Sequence, residues 1–218
     1  GGTLVGSHAF RLYSAELGVR LDSLLASTED IDIAAFERLT MVIEERAGER
    51  LEKAFRELGL EPAANLDRKR RPTTWAMRGG GTSVDFLVPK MRGDAEVLKL
   101  EALGVYAQAV SFLNYLIAKP IPAAAIYRSG VLVQIPRPER YAIHKLIVAQ
   151  RREGSAAAKA KKDLDQAEAL VRVLAEDRPA ELAQAYEEAL AKGQKWQRAI
   201  RKSLRQRPGI QAAIESVG

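Results

Sequence analysis

The spacing of hydrophobic and polar positions changes several times along the chain, and each change marks an element. Thr3-Leu4-Val5 is a short, apolar, β-branched run that stops at Gly6-Ser7. A helical pattern follows from His8 to Leu17, with Ser7 placed to cap its start and Gly18 its end. Asp30-Ile31-Asp32-Ile33-Ala34 alternates acidic and apolar residues, which predicts a half-buried strand. Residues 41–60, rich in Glu, Arg, Leu and Ala, predict a helix ending near Gly59. Residues 61–72 read as a loop carrying Arg68-Lys69-Arg70-Arg71. Residues 73–77 and 82–88 predict two strands of a hairpin turning at Gly79-Gly80-Gly81, with Pro89 as the stop. Residues 110–118 read as a short helix or buried segment, and 123–128 with 131–135 as a second hairpin around Ser129-Gly130. Beyond Pro136 and Pro138 the pattern is helical, over 139–152, 159–176, 179–192 and 193–206, with a short last helix after Pro208-Gly209. Strands mixed with helices and then helices alone predict an α+β fold, with a first domain over 1–136 and a helical region over 137–218.

Composition narrows the class. At 47% hydrophobic and 28% charged, the 218 residues suit a globular chain with a real core. The absence of Cys excludes disulfides, thiolate metal sites and a Cys nucleophile, and fits a reducing, cytoplasmic setting. No apolar run reaches about 18 residues, so no membrane span is predicted. No signal peptide is visible, and the start at Gly1-Gly2 without Met reads as a piece of a longer protein. The net charge of +6 is uneven: residues 1–136 carry equal numbers of basic and acidic side chains, so the whole excess lies in 137–218. Clustered Lys and Arg draw polyanions, which points the helical third toward an anionic partner.

Candidate chemistry lies on the strands. Residues i and i+2 of a strand share a face, so Asp30 and Asp32 stand together with Ile31 and Ile33 opposite. Two like charges on one face repel, and a divalent cation with a taste for oxygen ligands removes that penalty. Asp85 is a third acid, inside an apolar strand between Val84 and Phe86. Alternating acidic and apolar residues also suit a solvent-facing strand edge. Gly6-Ser7 at a helix start offers free N–H groups and the positive end of the helix dipole to an anion, although the pair also serves as a plain turn and cap. His8 and His144 are lone histidines on helices and read as packing or surface residues. Lys192, Lys195, Arg198, Lys202 and Arg205 recur every three or four residues and line one helical face around Trp196. That face is either a solvated surface or a stripe for nucleic acid, carried by Lys195, Arg198, Lys202 and Arg205. Leu164, Ala167, Leu170, Val171 and Leu174 form an apolar stripe that reads as core.

The ordered set Gly-Ser at a helix start, Asp-Ile-Asp, then a later strand Asp resembles the nucleotidyltransferase fold of the DNA polymerase beta superfamily. More narrowly it resembles bacterial nucleotidyltransferase-fold proteins related to abortive-infection-type toxins. The resembling stretches are Leu4-Val5-Gly6-Ser7-His8-Ala9-Phe10, Thr28-Glu29-Asp30-Ile31-Asp32 and Ser83-Val84-Asp85-Phe86-Leu87. Pro138-Glu139-Arg140-Tyr141-Ala142-Ile143-His144-Lys145-Leu146 and Lys161-Lys162-Asp163-Leu164 extend the likeness over most of residues 1–170. The resemblance implies a nucleotidyltransferase-like mixed β-sheet flanked by helices. It implies Gly6 and Ser7 on the triphosphate of an NTP, and Asp30, Asp32 and Asp85 on two Mg²⁺ ions. It implies Lys145, with Lys162 as a second candidate, against the triphosphate charge. The activity implied is transfer of a nucleoside monophosphate to an acceptor hydroxyl on RNA, protein or a small molecule, with a cognate antitoxin as a further partner. The alternative is a catalytically idle fold that binds nucleic acid or protein. Residues 18–27 lengthen the gap between Ser7 and Asp30 relative to the plainest members of the superfamily.

Overall fold

A computed structural model describes residues 2–35, 47–63, 71–126 and 128–218. The chain divides into two compact units, Gly1–Leu17 with Ala26–Pro136, and Gly18–Leu25 with Arg137–Gly218. Among the described residues no helix is long and apolar enough to cross a membrane.

The first unit is built on a mixed sheet of seven strands among the described residues. These are β1 (Thr3–Val5), β2 (Asp30–Ala34), β3 (Leu60–Pro62), β4 (Thr74–Met77), β5 (Ser83–Pro89), β6 (Val97–Leu100) and β7 (Val105–Val110). The order β1-β2-β5-β4-β3 runs across the sheet, and β7 pairs with both β5 and β6. β2 and β5 are parallel neighbours, while β1 joins β2 and β4 joins β5 antiparallel. The two faces differ as the alternation predicts. Ile31, Ile33, Trp75, Val84, Phe86 and Val88 belong to one apolar cluster. Helix α2 (Ala47–Glu57) contributes Phe55 to it, with its ring 5.2 Å from Trp75 and 6.0 Å from Phe86. The acidic residues take the opposite face.

Helix α1 (Gly6–Glu16) buries Ala9, Phe10 and Tyr13, and the Tyr13 hydroxyl donates to the Pro136 carbonyl at 2.9 Å. A short helix α3 (Leu113–Leu116) and a separate hairpin of β8 (Ile121–Ala125) and β9 (Val131–Ile135) complete this unit.

Several elements differ from the sequence expectation. Helix α1 opens on Gly6 itself; Val5 precedes it with extended backbone and no side-chain cap, so Ser7 lies inside the first turn and is not the cap. Leu60, expected to end the helix, and Glu61-Pro62, expected as loop, form β3 on the sheet edge. Residues 110–118 divide between the end of β7 and α3. The expected helix over 41–60 is seen from Ala47, its earlier part lying outside the described residues, as do Arg68, Lys69 and Arg70.

The second unit is helical: α4 (Pro138–Ala149), α5 (Ala157–Asp177), α6 (Pro179–Leu190), α7 (Gln194–Gln206) and α8 (Pro208–Glu215). Pro138, Pro179 and Pro208 each open a helix, where a missing N–H costs nothing. α4 packs on α5, α6 and α7. Its Tyr141, Ile143, Leu146 and Ile147 are buried, as are Leu164, Ala167, Leu170, Val171 and Leu174 of α5, the stripe read as core. Three of the buried polar groups here are paired as follows. The Tyr141 hydroxyl donates to Gln166 Oε1 at 3.0 Å, Gln166 Nε2 donates to the Leu25 carbonyl at 2.6 Å, and Ser203 Oγ donates to the Leu146 carbonyl at 2.6 Å.

Candidate active site

The register of the sheet brings the sequence-predicted acids together. Asp32 on β2 is the direct partner of Asp85 on β5, and Asp30 is the partner of Ser83. Asp85 in turn faces Thr74 across β4. Paired positions in a sheet carry their side chains on the same face, so Asp30, Asp32, Asp85, Ser83 and Thr74 form one polar patch. All five are half-buried. On the other side of Asp32 stands Val5, the last residue of β1, from which α1 departs.

Gly6 fits against this patch in a way no other residue can. Its φ of +64° lies in the left-handed region. A Cβ placed there would overlap the Asp32 carboxylate, with Asp32 Cγ 3.1 Å and Asp32 Cβ 3.5 Å away. The backbone at the start of α1 therefore passes directly over a carboxylate of the sheet. The helix is 11 residues long and has no acidic residue in its first turn. Its N-terminal amides and positive dipole end thus lie beside the acids, with Ser7 half-buried in the same turn. An anion held there together with a cation on the carboxylates is the pairing that a metal-bound phosphate presents.

Hydroxyl groups on neighbouring strands hold two of the acids. Ser83 Oγ donates to Asp30 Oδ1 at 2.8 Å, and Thr74 Oγ1 donates to Asp85 Oδ1 in a short hydrogen bond. The Asp30 backbone N–H donates to Thr28 Oγ1 at 3.2 Å. Thr74 lies on β4, on the side of β5 opposite β2. Among the described residues no three His, Cys, Asp or Glu side chains form a metal-holding group in this arrangement. The donor set is nonetheless suited to a hard cation: the carboxylates of Asp32 and Asp85, paired in register, and of Asp30, two residues along β2, all partly open to solvent and beside a glycine cradle that a Cβ would fill.

His8 also faces the patch. Burial lowers its imidazole pKa and the Arg11 charge lowers it further, while the Asp30 charge opposes both. His8 Nε2 is buried without a hydrogen-bond partner among the described residues.

The other sequence-predicted residues lie in the helical unit. Lys145 is buried on α4, with Nζ donating to Asp163 Oδ1 at 2.5 Å and standing 5.2 Å from the centre of the Tyr141 ring. Arg152 Nε donates to the second oxygen of Asp163 at 2.9 Å. Lys162, half-buried, precedes Asp163 on α5. Lys195, Arg198, Lys202 and Arg205 are all exposed on α7.

Sequence reasoning missed Thr74 and Ser83. Counting back across the Gly79-Gly80-Gly81 turn would have set Thr74 opposite Asp85, but the register of β2 against β5 has no local signal.

A sequence profile of a family described as "Nucleotidyltransferase" matches residues 1–191. No curated protein matches the chain. Among solved structures, an antigenic nucleotidyltransferase-like protein from Paracoccidioides brasiliensis is similar in fold, with a TM-score of 0.53 and 16% identity. The similarity covers 99% of this chain and 84% of that one.

Proposed function

The chain belongs to the nucleotidyltransferase family, and on that premise we propose that it is an Mg²⁺-dependent enzyme transferring a nucleoside monophosphate from an NTP to an acceptor hydroxyl. The observation that carries this reading is the fit of Gly6 over the Asp32 carboxylate, with Asp85 as its strand neighbour. Asp30, Asp32 and Asp85 would hold two Mg²⁺ ions, which when bound supply charge stabilisation to the triphosphate and lower the pKa of the attacking hydroxyl. The amides of Gly6, Ser7 and His8 bind the phosphates of the NTP. The acceptor oxygen attacks the α-phosphorus, the new O–P bond forms as the bond to pyrophosphate breaks, and the acceptor proton passes to Asp85 and on to solvent. Thr74 and Ser83 act as positioning residues that aim Asp85 and Asp30. The triphosphate charge is also within the proposed remit of Lys145 and Lys162. Lys145 would serve there only by sharing its ammonium with Asp163. A relationship to abortive-infection toxins, with a cognate antitoxin as partner, belongs to the same proposal.

The experiment is incubation with each α-labelled NTP, Mg²⁺ and total cell extract, followed by separation of labelled RNA from labelled protein. Asp32→Ala is expected to reduce label transfer to background. Transfer that persists in Asp32→Ala refutes the assignment.

A second reading, the same fold used only for binding, is favoured by one observation: Asp85 is bonded to Thr74 and no three-acid metal group is formed among the described residues. Mg²⁺ titration separates the two. Enzyme function requires a saturable Mg²⁺ effect that Asp32→Ala removes, whereas a binding module shows none.

A further inference from the structure

Five cations on α7 contrast with the paired arginines of their unit. Arg140, Arg152, Arg178 and Arg207 are each paired with a carboxylate, and Arg207 with two, Asp165 at 2.5 Å and Glu168 at 2.9 Å. Lys195, Arg198, Arg201, Lys202 and Arg205 are exposed, and none joins an ion pair or hydrogen bond among the described residues. α7 holds no acidic residue at all. Like charges three and four residues apart destabilise a helix, and carboxylates elsewhere in the unit show that pairing was available. Lys195, Arg198, Lys202 and Arg205 form a ridge spanning about 15 Å at 1.5 Å per residue.

Beside this ridge lies a groove of about 620 Å³ formed by α6, α7 and α8. Leu190, Leu204, Ile214 and half-buried Tyr186 line it, together with exposed Arg201 and the ridge residue Arg205. Glu187 and Glu215 line it too, and would repel phosphate within it. The arrangement separates two chemistries: a cationic ridge outside, and an apolar recess with one aromatic face inside. A single-stranded polynucleotide has the matching separation, with phosphates along its backbone and bases that turn away to stack. A membrane surface would match the ridge but would not need an aromatic recess behind it.

From this complementarity we infer that the α6–α7–α8 face binds a single-stranded polynucleotide, its phosphates along the α7 ridge and a base against Tyr186. The binding stands independently of the transfer reaction; the further identification of this polynucleotide as the acceptor rests on the nucleotidyltransferase reading.

The test is fluorescence anisotropy with the full chain, without NTP or Mg²⁺, using fluorescein-labelled oligouridylate and oligodeoxythymidylate about a dozen nucleotides long. Binding of either supports the site, and the ratio of affinities shows whether RNA or DNA is preferred. With four phosphates neutralised, log K is expected to fall against log salt with a slope of about −3. K195E/R198E is expected to weaken binding at least about tenfold and to flatten the slope by about 1.4. K90E/R92E, which changes the net charge equally at exposed positions of the other unit, should cost less than about threefold. Tyr186→Ala should weaken binding about tenfold with the slope unchanged. Circular dichroism confirms that each variant is folded. Absence of wild-type binding at low salt overturns the inference, as does equal loss in K195E/R198E and K90E/R92E. An unaffected Tyr186→Ala overturns the placement of a base in the groove. Binding to phosphatidylserine vesicles with no oligonucleotide binding overturns it in favour of a membrane surface. Asp32→Ala is expected to keep oligonucleotide binding. Label transfer without oligonucleotide binding therefore refutes this inference alone, and the reverse refutes only the proposed activity.

Discussion

Gly6 shows how a single residue can join backbone conformation to chemistry. The left-handed φ of +64° would cost an L-residue about 1–2 kcal/mol even in open space. Here the space is filled by the Asp32 carboxylate, so alanine must move either the helix start or the acid. Gly6→Ala is therefore expected to lower the melting temperature by a few degrees and to reduce nucleotide transfer nearly as far as Asp32→Ala. A variant with the lower melting temperature but full activity would show that the glycine serves only the turn. Lys145 poses a related question on the helical side. Its ammonium is buried against Asp163, which Arg152 also holds. Lys145→Met is expected to cost about 2–3 kcal/mol in urea unfolding, because it leaves a buried carboxylate with one partner instead of two. A raised KM for NTP with unchanged stability would instead assign Lys145 to the triphosphate.

At the scale of elements, what was legible depended on whether a strand carries its own signal. β2 and β5 could be read because Asp and Ile alternate along β2 and Val84, Phe86 and Val88 recur every second residue on the buried face of β5. β3 is only three residues long, and Glu61-Pro62 has the composition of a loop; it is a strand because Leu60 enters the core and β4 offers its edge. β7 was missed because small Ala107 and Ala109 fill its buried positions and give almost no hydrophobic contrast. α4 has no polar stripe, since eleven of its residues are buried, including Glu139, Arg140, His144 and Lys145. Pairing between strands is a long-range property, so the hydroxyls of Thr74 and Ser83 could be recognised as part of the acidic patch only once the register was known. Their role is open to test. Thr74→Val keeps the strand and the volume but removes the donor to Asp85. It is expected to lower kcat about tenfold with little change in KM, and Thr74→Ser to restore it. Equal rates in Thr74→Val and wild type would exclude Thr74 as a positioning residue.

On the whole-molecule scale, the two units differ in charge and also in how they should respond to acid. The acids of the sheet are half-buried and hydroxyl-bonded, whereas the helical unit buries a histidine. Burial, reinforced by the charge of Lys145 and to a smaller extent of Arg152, pushes His144 down to about 3, against the opposing pull of Asp163. His144 Nε2 has no hydrogen-bond partner among the described residues, so no hydrogen bond at that atom favours the protonated form. Between the unfolded value of 6.5 and the folded value of about 3, the unfolded chain takes up a proton that the folded chain refuses. Stability contributed by the neutral imidazole is therefore complete above pH 6.5 and drains away as pH falls through that window. The chain carries two tryptophans, buried Trp75 in the sheet unit and buried Trp196 in the helical one. Trp75→Phe leaves fluorescence reporting on the helical unit, and Trp196→Phe on the sheet unit. In Trp75→Phe the urea midpoint is expected to fall steadily below pH 6.5. Adding His144→Gln to that background should flatten the fall over the same range, because the titrating group is gone. An equal fall with and without His144 would exclude His144 as the source of the helical unit's acid sensitivity.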